Sequence, residues 1–193
     1  KMLYPVLKME HAERQCFVRQ EMHERLCAAA GNLPMGYRFR IWDAWRPFEL
    51  QHELFEKYSE DIIRDFALEN KTEAERKAVI CKFVSDPVPD KNVPPAHTTG
   101  GAIDLTILDP ENRELPMGCG FDAFTDKTCA DYFEIPEHVQ NTEQEQIRDN
   151  RRMLYYAMTD AGFTNLPSEW WHYDYGDRFW AYYRKRPAIY EGV

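Results

Sequence analysis

The pattern of apolar and polar positions along the chain predicts four helices. In the first, over residues 11–30, the apolar side chains step by four, four and three and therefore share one helical face: Val18, Met22, Leu26 and Ala29. A proline opens the second, over residues 48–58, and capping boxes at Thr72 and Thr142 open the other two, over residues 72–84 and 142–161. Gly31 and Gly162 follow two of these helices and predict their ends.

Strand patterns lie between and after these helices. Four segments alternate in polarity, form a short apolar run or are rich in aromatic residues: residues 37–45, 102–108, 168–175 and 179–183. The proline-rich residues 86–95 predict a loop, and residues 109–140 predict loops with short elements. The order shows no βαβ rhythm. It favours an α+β fold in which a small, mainly antiparallel sheet is flanked by helices, with residues 1–193 as a single domain.

Charge and cysteine content narrow the functional classes. Lys and Arg number 24 and Asp and Glu 33, so the net charge is −9, and this acidic balance argues against nucleic acid or an anionic membrane as a partner. No apolar stretch reaches the ~18 residues of a membrane span. The five cysteines are scattered and form no CxxC pair. With no signal-type leader in the printed sequence, they predict a reducing, cytoplasmic location.

Three short segments carry residues suited to catalysis. In the first segment, Asp104 interrupts an apolar strand seven residues after His97. In the second, Glu169 precedes His172 by three residues, and in the third, Arg46 lies at the end of the predicted strand 37–45. Taken singly, each has a structural interpretation: a buried carboxylate that caps backbone amides, a histidine in an aromatic core, and a salt-bridged Arg46. On a strand, Glu169 and His172 face opposite sides, so a bend or a helical turn is needed to bring them together.

Together these residues fit a catalytic metal site. Two imidazoles and one carboxylate are a suitable three-ligand set for zinc, which keeps its fourth position for water. Glu169 is then free to take a proton from that water and give it to a leaving amine, and Arg46 supplies a positive charge for the oxyanion.

Four motifs, in the same order, resemble the D-alanyl-D-alanine dipeptidase (VanX-like) family of zinc peptidases, whose relatives include D,D-carboxypeptidases and the hedgehog signalling domain. The motifs are DxxRP from Asp43, HxxGxAxD from His97, MGxxFD from Met117 and ExWH from Glu169. The resemblance implies the family's fold, a small antiparallel sheet flanked by helices, in agreement with the pattern above.

The resemblance also implies roles for individual residues. One Zn²⁺ ion per chain would be held by His97, Asp104 and His172. Glu169 would be the catalytic base, Arg46 the transition-state arginine, and Asp122 a carboxylate near the free ammonium of a dipeptide. The family usually has serine two residues before the first zinc histidine, where this chain has Pro95, so a hydroxyl that could touch the substrate is missing.

The expected function is hydrolysis of D-alanyl-D-alanine, and of similar small D,D-dipeptides, by Glu-assisted attack of zinc-bound water. Two alternatives stay open. A pocket open at one end would make the chain a D,D- or L,D-carboxypeptidase that trims peptidoglycan stem peptides. A zinc-binding module without activity is the other, and the presence of both Glu169 and Arg46 argues against it. The sequence does not decide the oligomeric state, the native metal or the physiological role among resistance, wall recycling and nutrition.

Overall fold

A computed structural model describes residues 2–88, 90 and 93–193 of the chain. The described residues form six α-helices: α1 Leu3–Val6, α2 Gln20–Gly31, α3 Phe48–Asp65, α4 Glu73–Ile80, α5 Thr142–Asp160 and α6 Arg178–Arg184. They form four strands: β1 Arg38–Asp43, β2 Ala102–Leu108, β3 Thr164–Asn165 and β4 His172–Asp174. Short 3-10 turns occur at Ala96–Thr99, Asp126–Thr128, Tyr132–Glu134 and Pro136–His138.

The strands form one antiparallel sheet in the order β1-β2-β4-β3. Strand β2 lies at its centre and is buried along nearly its whole length, which explains its continuous apolar run. Helices α2 and α5 pack with the sheet in one core, where Met22 and Met158 join Ile103, Leu105 and Ile107. This arrangement confirms the predicted α+β fold with a small antiparallel sheet and flanking helices.

The first predicted helix begins later than its apolar pattern indicated. Helix α2 covers only Gln20–Gly31 of the predicted residues 11–30. The backbone of the preceding segment bonds to other parts of the fold instead: the amide of Trp45 donates to the Phe17 carbonyl, and the amide of Arg19 donates to the Gly100 carbonyl. These long-range bonds replace the local bonds that a helix would need.

The other predicted helices are present with different limits. Helix α3 continues to Asp65, because its buried stripe of Leu50 and Leu54 extends to Ile62. The capping box at Thr72 is confirmed, although helix α4 ends at Ile80. The predicted cap at Thr142 was wrong by one residue, since the side chain of Asn141 accepts the hydrogen bond from the Gln144 amide.

Two aromatic segments were predicted as strands from composition, and both predictions needed correction. Of residues 168–175, only His172–Asp174 are extended, because turns occupy the residues before them. Residues 179–183 belong to helix α6, whose first amides are capped by the Asp177 side chain. The two-residue strand β3 was not predicted. Of the predicted loop at residues 86–95, positions 89, 91 and 92 lie outside the described residues, and the others lie in no helix or strand before the turn that begins at Ala96.

Candidate active site

The sheet register places three candidate side chains in one row. Asp43 on β1 pairs with Asp104 on β2, and Asp104 pairs with His172 on β4. The β1–β2 register shifts between Ile41 and Asp43, and such an irregularity turns a side chain from the position that regular alternation would give it.

His97 reaches the same row from the turn that precedes β2. This turn, Ala96–Thr99, ends at Gly100, whose φ of 71° lies in the left-handed region that glycine adopts at low cost. The Gly100 amide donates to the His97 carbonyl at 3.1 Å, which closes the turn immediately before the strand. The HxxG motif therefore has glycine at this position because the backbone there is left-handed.

The structure brings His97, Asp104 and His172 together as a buried group with ligand atoms within 4.8 Å of one another. His97 Nε2 lies 3.2 Å from His172 Nδ1. The two Asp104 oxygens face them, with Oδ1 3.0 Å from His172 Nδ1 and Oδ2 3.2 Å from His97 Nε2. Residues that are 75 positions apart thus point their donor atoms at one place.

The far side of each imidazole fixes which nitrogen faces this place. His97 Nδ1 lies 2.6 Å from the Ala44 carbonyl oxygen, which can only accept, so the hydrogen on this ring is assigned to Nδ1. His172 Nε2 lies 2.8 Å from Asp174 Oδ1, which assigns its hydrogen in the same way. The lone pairs of His97 Nε2 and His172 Nδ1 then converge beside the carboxylate of Asp104. Such a set of donors fits a divalent cation, and the outer partners are those typical of metal-bound histidines.

The ionisable side chains of this group shift one another's pKa values. Burial alone would raise the pKa of Asp104, but the facing imidazoles of His97 and His172 hold the pKa of this carboxyl well below its usual value. Burial opposes protonation of His172, yet the carboxylates of Asp174 and Asp104 raise its pKa well above the ordinary value. Excess negative charge around the imidazoles therefore attracts a cation, whether a proton or a metal ion.

Glu169 lies beside this group. Its carbonyl accepts from the His172 amide at 3.3 Å, so a turn, and not a strand, joins the two residues. The turn places Glu169 Oε2 3.7 Å from His172 Nδ1. Desolvation raises the pKa of Glu169 to about 8, and the charges of Asp104 and Asp122 add to the shift. A carboxyl with a pKa in this range can both accept and return a proton near neutral pH.

Arg46 is buried beside Asp43 and Asp104. Its Nε donates to Asp43 Oδ2 at 2.7 Å, its Nη1 donates to Gln51 Oε1 at 3.0 Å, and its Nη2 lies 3.5 Å from Asp104 Oδ2. Burial would lower the pKa of the guanidinium, but Asp43 and the other nearby acids raise it above its ordinary value. The site therefore holds a permanent positive charge in a fixed position.

Asp122 faces the same cavity from the loop after β2. Its φ of 56° is left-handed, and the preceding Phe121 is packed between Trp42 and Trp171, with ring centroids 4.9 and 5.4 Å away. The hydroxyls of Tyr4 and Tyr58 both donate to Asp122 Oδ2, at 2.9 and 2.6 Å. Desolvation raises the pKa of Asp122 to about 6, and the charge of Asp104 adds to this.

One cavity joins these parts. It is lined by side chains from the candidate metal group and by Arg46, Asp122 and Glu169. The segment of Phe83, Val84 and Ser85, which follows helix α4, forms part of its wall. Pro95, at the position of the family serine, also lines the cavity, together with Ala96.

The sequence analysis missed several residues that contact this site. Tyr4 and Tyr58 hold Asp122, Asp174 orients His172, and Gln51 contacts Arg46. Only Asp174 had a usable signal, since it lies two residues after His172 on the same strand face. The others reach the site from α1 and α3, and nothing in their local sequence indicates that.

A group of three donor side chains would leave one position of a tetrahedral metal ion open, as in catalytic rather than structural zinc sites. A family model described as the D-ala-D-ala dipeptidase family, peptidase M15, matches residues 6–189, and the chain belongs to this family.

Named relatives agree with this assignment. The chain is 33% identical over 150 residues to a D-alanyl-D-alanine dipeptidase of Synechocystis, a match that covers 74% of this chain and 61% of that protein. It is 35% identical over 100 residues to the Escherichia coli K12 dipeptidase (51% and 48%). It is 29% identical over 140 residues to that of Enterococcus faecium (72% and 62%). The chain thus spans about half to three fifths of these relatives' lengths.

Among solved structures, a vancomycin-resistance D,D-pentapeptidase, VanY in complex with Zn(II), aligns with a TM-score of 0.45 and 16% identity, over 86% of this chain and 76% of that one. Separately, no helix within residues 2–88, 90 and 93–193 is long and apolar enough to cross a membrane.

Proposed function

We propose that the chain is a zinc-dependent dipeptidase that hydrolyses D-alanyl-D-alanine and similar small D,D-dipeptides. The observation that carries this proposal is the single cavity that Asp104, Glu169, Arg46 and Asp122 line together. His97, Asp104 and His172 are proposed as the ligands of one ion per chain. Membership of the D-ala-D-ala dipeptidase family supports the substrate class.

A divalent ion at this place would polarise the substrate carbonyl and acidify water. Glu169 would act as the proton carrier of the reaction. Its Oε2 lies 3.7 Å from a ligand nitrogen without belonging to the three-ligand group. It would take a proton from the attacking water and deliver it to the amine that leaves when the C–N bond breaks.

Arg46 would stabilise the negative charge that develops on the carbonyl oxygen. Its partners fix the guanidinium before substrate arrives, so no reorganisation is needed during the reaction. Asp43 holds the Nε edge at 2.7 Å, and further N–H groups on the terminal nitrogens are available to a substrate oxygen.

Asp122 would bind the free ammonium of the dipeptide. Two phenol hydroxyls donate to its Oδ2. Among the described residues no group donates to its Oδ1, so this oxygen is available to a ligand in the cavity. A free dipeptide carries a positive charge where a longer peptide carries a neutral amide, and a buried carboxylate favours the former. This feature supports a dipeptidase over a carboxypeptidase that trims stem peptides.

The test compares three substrates on the zinc-loaded protein: D-Ala-D-Ala, its N-acetyl derivative, and a pentapeptide ending in D-Ala-D-Ala. We expect the free dipeptide to have a kcat/KM at least about 10-fold higher than the other two, because each lacks the charged partner of Asp122. A chelator should abolish the activity. Faster cleavage of the pentapeptide would favour the carboxypeptidase alternative, and a zinc-loaded protein that cleaves none of the three would favour a binding module.

A further inference from the structure

Gln51 is a buried amide that joins two parts of the cavity. It lies in the first turn of α3, and only 2% of its surface is exposed. Its Oε1 accepts from Arg46 Nη1 at 3.0 Å, and its Nε2 donates to the Ser85 carbonyl at 2.9 Å. One side chain thus bridges the buried arginine to the cavity wall formed by Phe83, Val84 and Ser85.

The two partners determine the orientation of the Gln51 amide. A guanidinium only donates hydrogen bonds and a backbone carbonyl only accepts them. The amide oxygen must therefore face Arg46 and its nitrogen must face Ser85, since a flipped amide would lose both bonds. A side chain of this length with a donor at one end and an acceptor at the other satisfies both partners at once, whereas Glu satisfies only Arg46 and Met satisfies neither.

Gln51 is one of three side chains that hold the Arg46 guanidinium. Asp43 and Asp104 both hold it from the side of the metal group, and Gln51 is its hydrogen-bond partner on the α3 side. Without Gln51, the two carboxylates are free to draw the guanidinium toward themselves, away from the place where a substrate oxygen would bind. Charge-assisted bonds of this kind are roughly twice as strong as neutral ones.

We propose that Gln51 is a positioning residue that sets Arg46 for the transition state and ties the wall segment of Phe83, Val84 and Ser85 to it. The inference rests on the proposed function, because it assigns a partner to the arginine of that reaction. It implies that removal of the Gln51–Arg46 bond lowers kcat, while removal of the Gln51–Ser85 bond loosens the wall and raises KM.

Two variants separate these effects. Gln51→Met has nearly the same shape and loses both bonds, so we expect kcat to fall about 10- to 100-fold, as for a lost bond to a charged group. Affinity for a phosphinate analogue of the tetrahedral transition state should fall by a similar factor. Gln51→Glu keeps an acceptor for Arg46 but turns an oxygen toward the Ser85 carbonyl. Its kcat should stay within about threefold of the original, while KM rises and amide hydrogen exchange in residues 83–88 becomes faster.

Zinc content and melting temperature are measured for each variant, and Gln20→Met, the same change on an exposed surface of α2, is the control. Unchanged kcat and analogue affinity in Gln51→Met would overturn the proposal, as would an equal loss of kcat in Gln51→Glu. If Gln51→Met does not fold, the kcat and exchange rates of Gln51→Glu decide alone. Failure of the proposed function is distinguishable, because the unmodified chain would then cleave no dipeptide at all.

Discussion

Glu169 lies close to the candidate metal ligands without belonging to them. A proton carrier contributes a factor of about 10² to 10⁴ to a hydrolysis rate. We therefore expect Glu169→Gln to lower kcat on D-Ala-D-Ala by about this factor while the protein retains its zinc. Steady-state kinetics and metal analysis by mass spectrometry measure the two quantities.

The matched control for this variant is Glu143→Gln, the same change at an exposed position of α5, which should leave both quantities unaltered. Loss of zinc from Glu169→Gln would show that Glu169 is itself a ligand. Near-normal turnover in that variant would remove it from the mechanism.

Asp122 gives the reaction a pH dependence of its own. With a pKa of about 6, it is a carboxylate above this pH and becomes neutral below it, while an α-amino group loses its charge above a pKa of about 8. The attraction between them is therefore confined to the window between these values. The ratio of KM for N-acetyl-D-Ala-D-Ala to KM for D-Ala-D-Ala should be greatest between about pH 6 and 8 and fall on either side.

The Asp122→Asn variant tests this attribution directly. It should raise KM for the free dipeptide about 10- to 100-fold, the range for a lost charge-assisted bond, and should reduce the KM ratio to near 1 at every pH. Groups that affect both substrates equally cancel in the ratio, including Arg46, Asp104, Tyr4 and Tyr58, which face Asp122. A ratio that keeps its pH dependence in Asp122→Asn would assign ammonium binding to another group.

At the level of single residues, the sequence indicates a candidate site where chemistry and spacing coincide. A carboxylate inside an apolar strand and a histidine on either side of it in the chain indicate a site because such groups are costly to bury alone. Tyr58 and Gln51 could not be found in this way. Each is an ordinary polar residue of a surface-type helix pattern, and only the packing of α3 against α1 and α4 makes it part of the cavity.

At the level of elements, the loop of residues 117–129, which carries Asp122, depends on one buried guanidinium from α5. Arg151 donates to the carbonyl oxygens of Met117, Lys127 and Cys129, at 2.8, 2.6 and 2.8 Å. The contact to the Met117 carbonyl is buried and the other two are partly buried, and a buried carbonyl left without a partner costs about 1 to 3 kcal/mol. Arg151→Met should therefore lower the free energy of unfolding by about 1 to 3 kcal/mol and raise KM for the dipeptide.

The neighbouring Arg152 provides a control for Arg151. It forms an ion pair with Glu134 in which both side chains are more than 40% exposed, and such pairs contribute about 0 to 1 kcal/mol. Arg152→Met should therefore leave KM unchanged and unfolding in urea nearly so. A loss of stability that is equal in the two variants would contradict the role given to Arg151 in holding the loop.

Apolar patterns predicted the central strand and the longest helix well, whereas aromatic composition predicted the wrong element for residues 179–183. Strand β2 and helix α5 have clear patterns, and their positions were close to those predicted. Residues 179–183 were assigned to a strand because aromatic residues favour sheets, but the Asp177 cap and burial of Trp180 make this segment helical. Asp177, two residues before the segment, is a helix N-cap residue and was the local signal for a helix.

At the scale of the whole molecule, the candidate site exists only because the sheet aligns distant segments. The row of Asp43, Asp104 and His172 spans three strands, and its partners come from α1, α3 and the loop before β2. The family resemblance could predict which residues meet, but not the register shift in β1 or the acceptors behind each histidine. These depend on strand pairing, which a single sequence does not reveal.

We therefore expect metal binding to stabilise the folded chain and to raise its melting temperature. The candidate ligand atoms lie within 4.8 Å of one another in the folded chain, so we expect a metal ion to bind the folded chain more tightly than the unfolded one. Free metal at 100 times its Kd adds about 2.7 kcal/mol to stability, which for a chain of this size corresponds to a rise in melting temperature of about 5 to 11 °C. Chelation should remove this increment, and added Zn²⁺ should restore it.

Calorimetry of two histidine variants tests whether the increment comes from this group. His172→Ala removes one ligand and should abolish most of the zinc-dependent rise. His138→Ala should retain it, because His138 bonds to the Tyr132 carbonyl and lies outside the group. A melting temperature that does not respond to zinc in the unmodified chain, or an equal response in both variants, would mean that His97, Asp104 and His172 do not hold the ion. In that case the buried cluster would need another source of positive charge, and the fixed charge of Arg46 would be the nearest one.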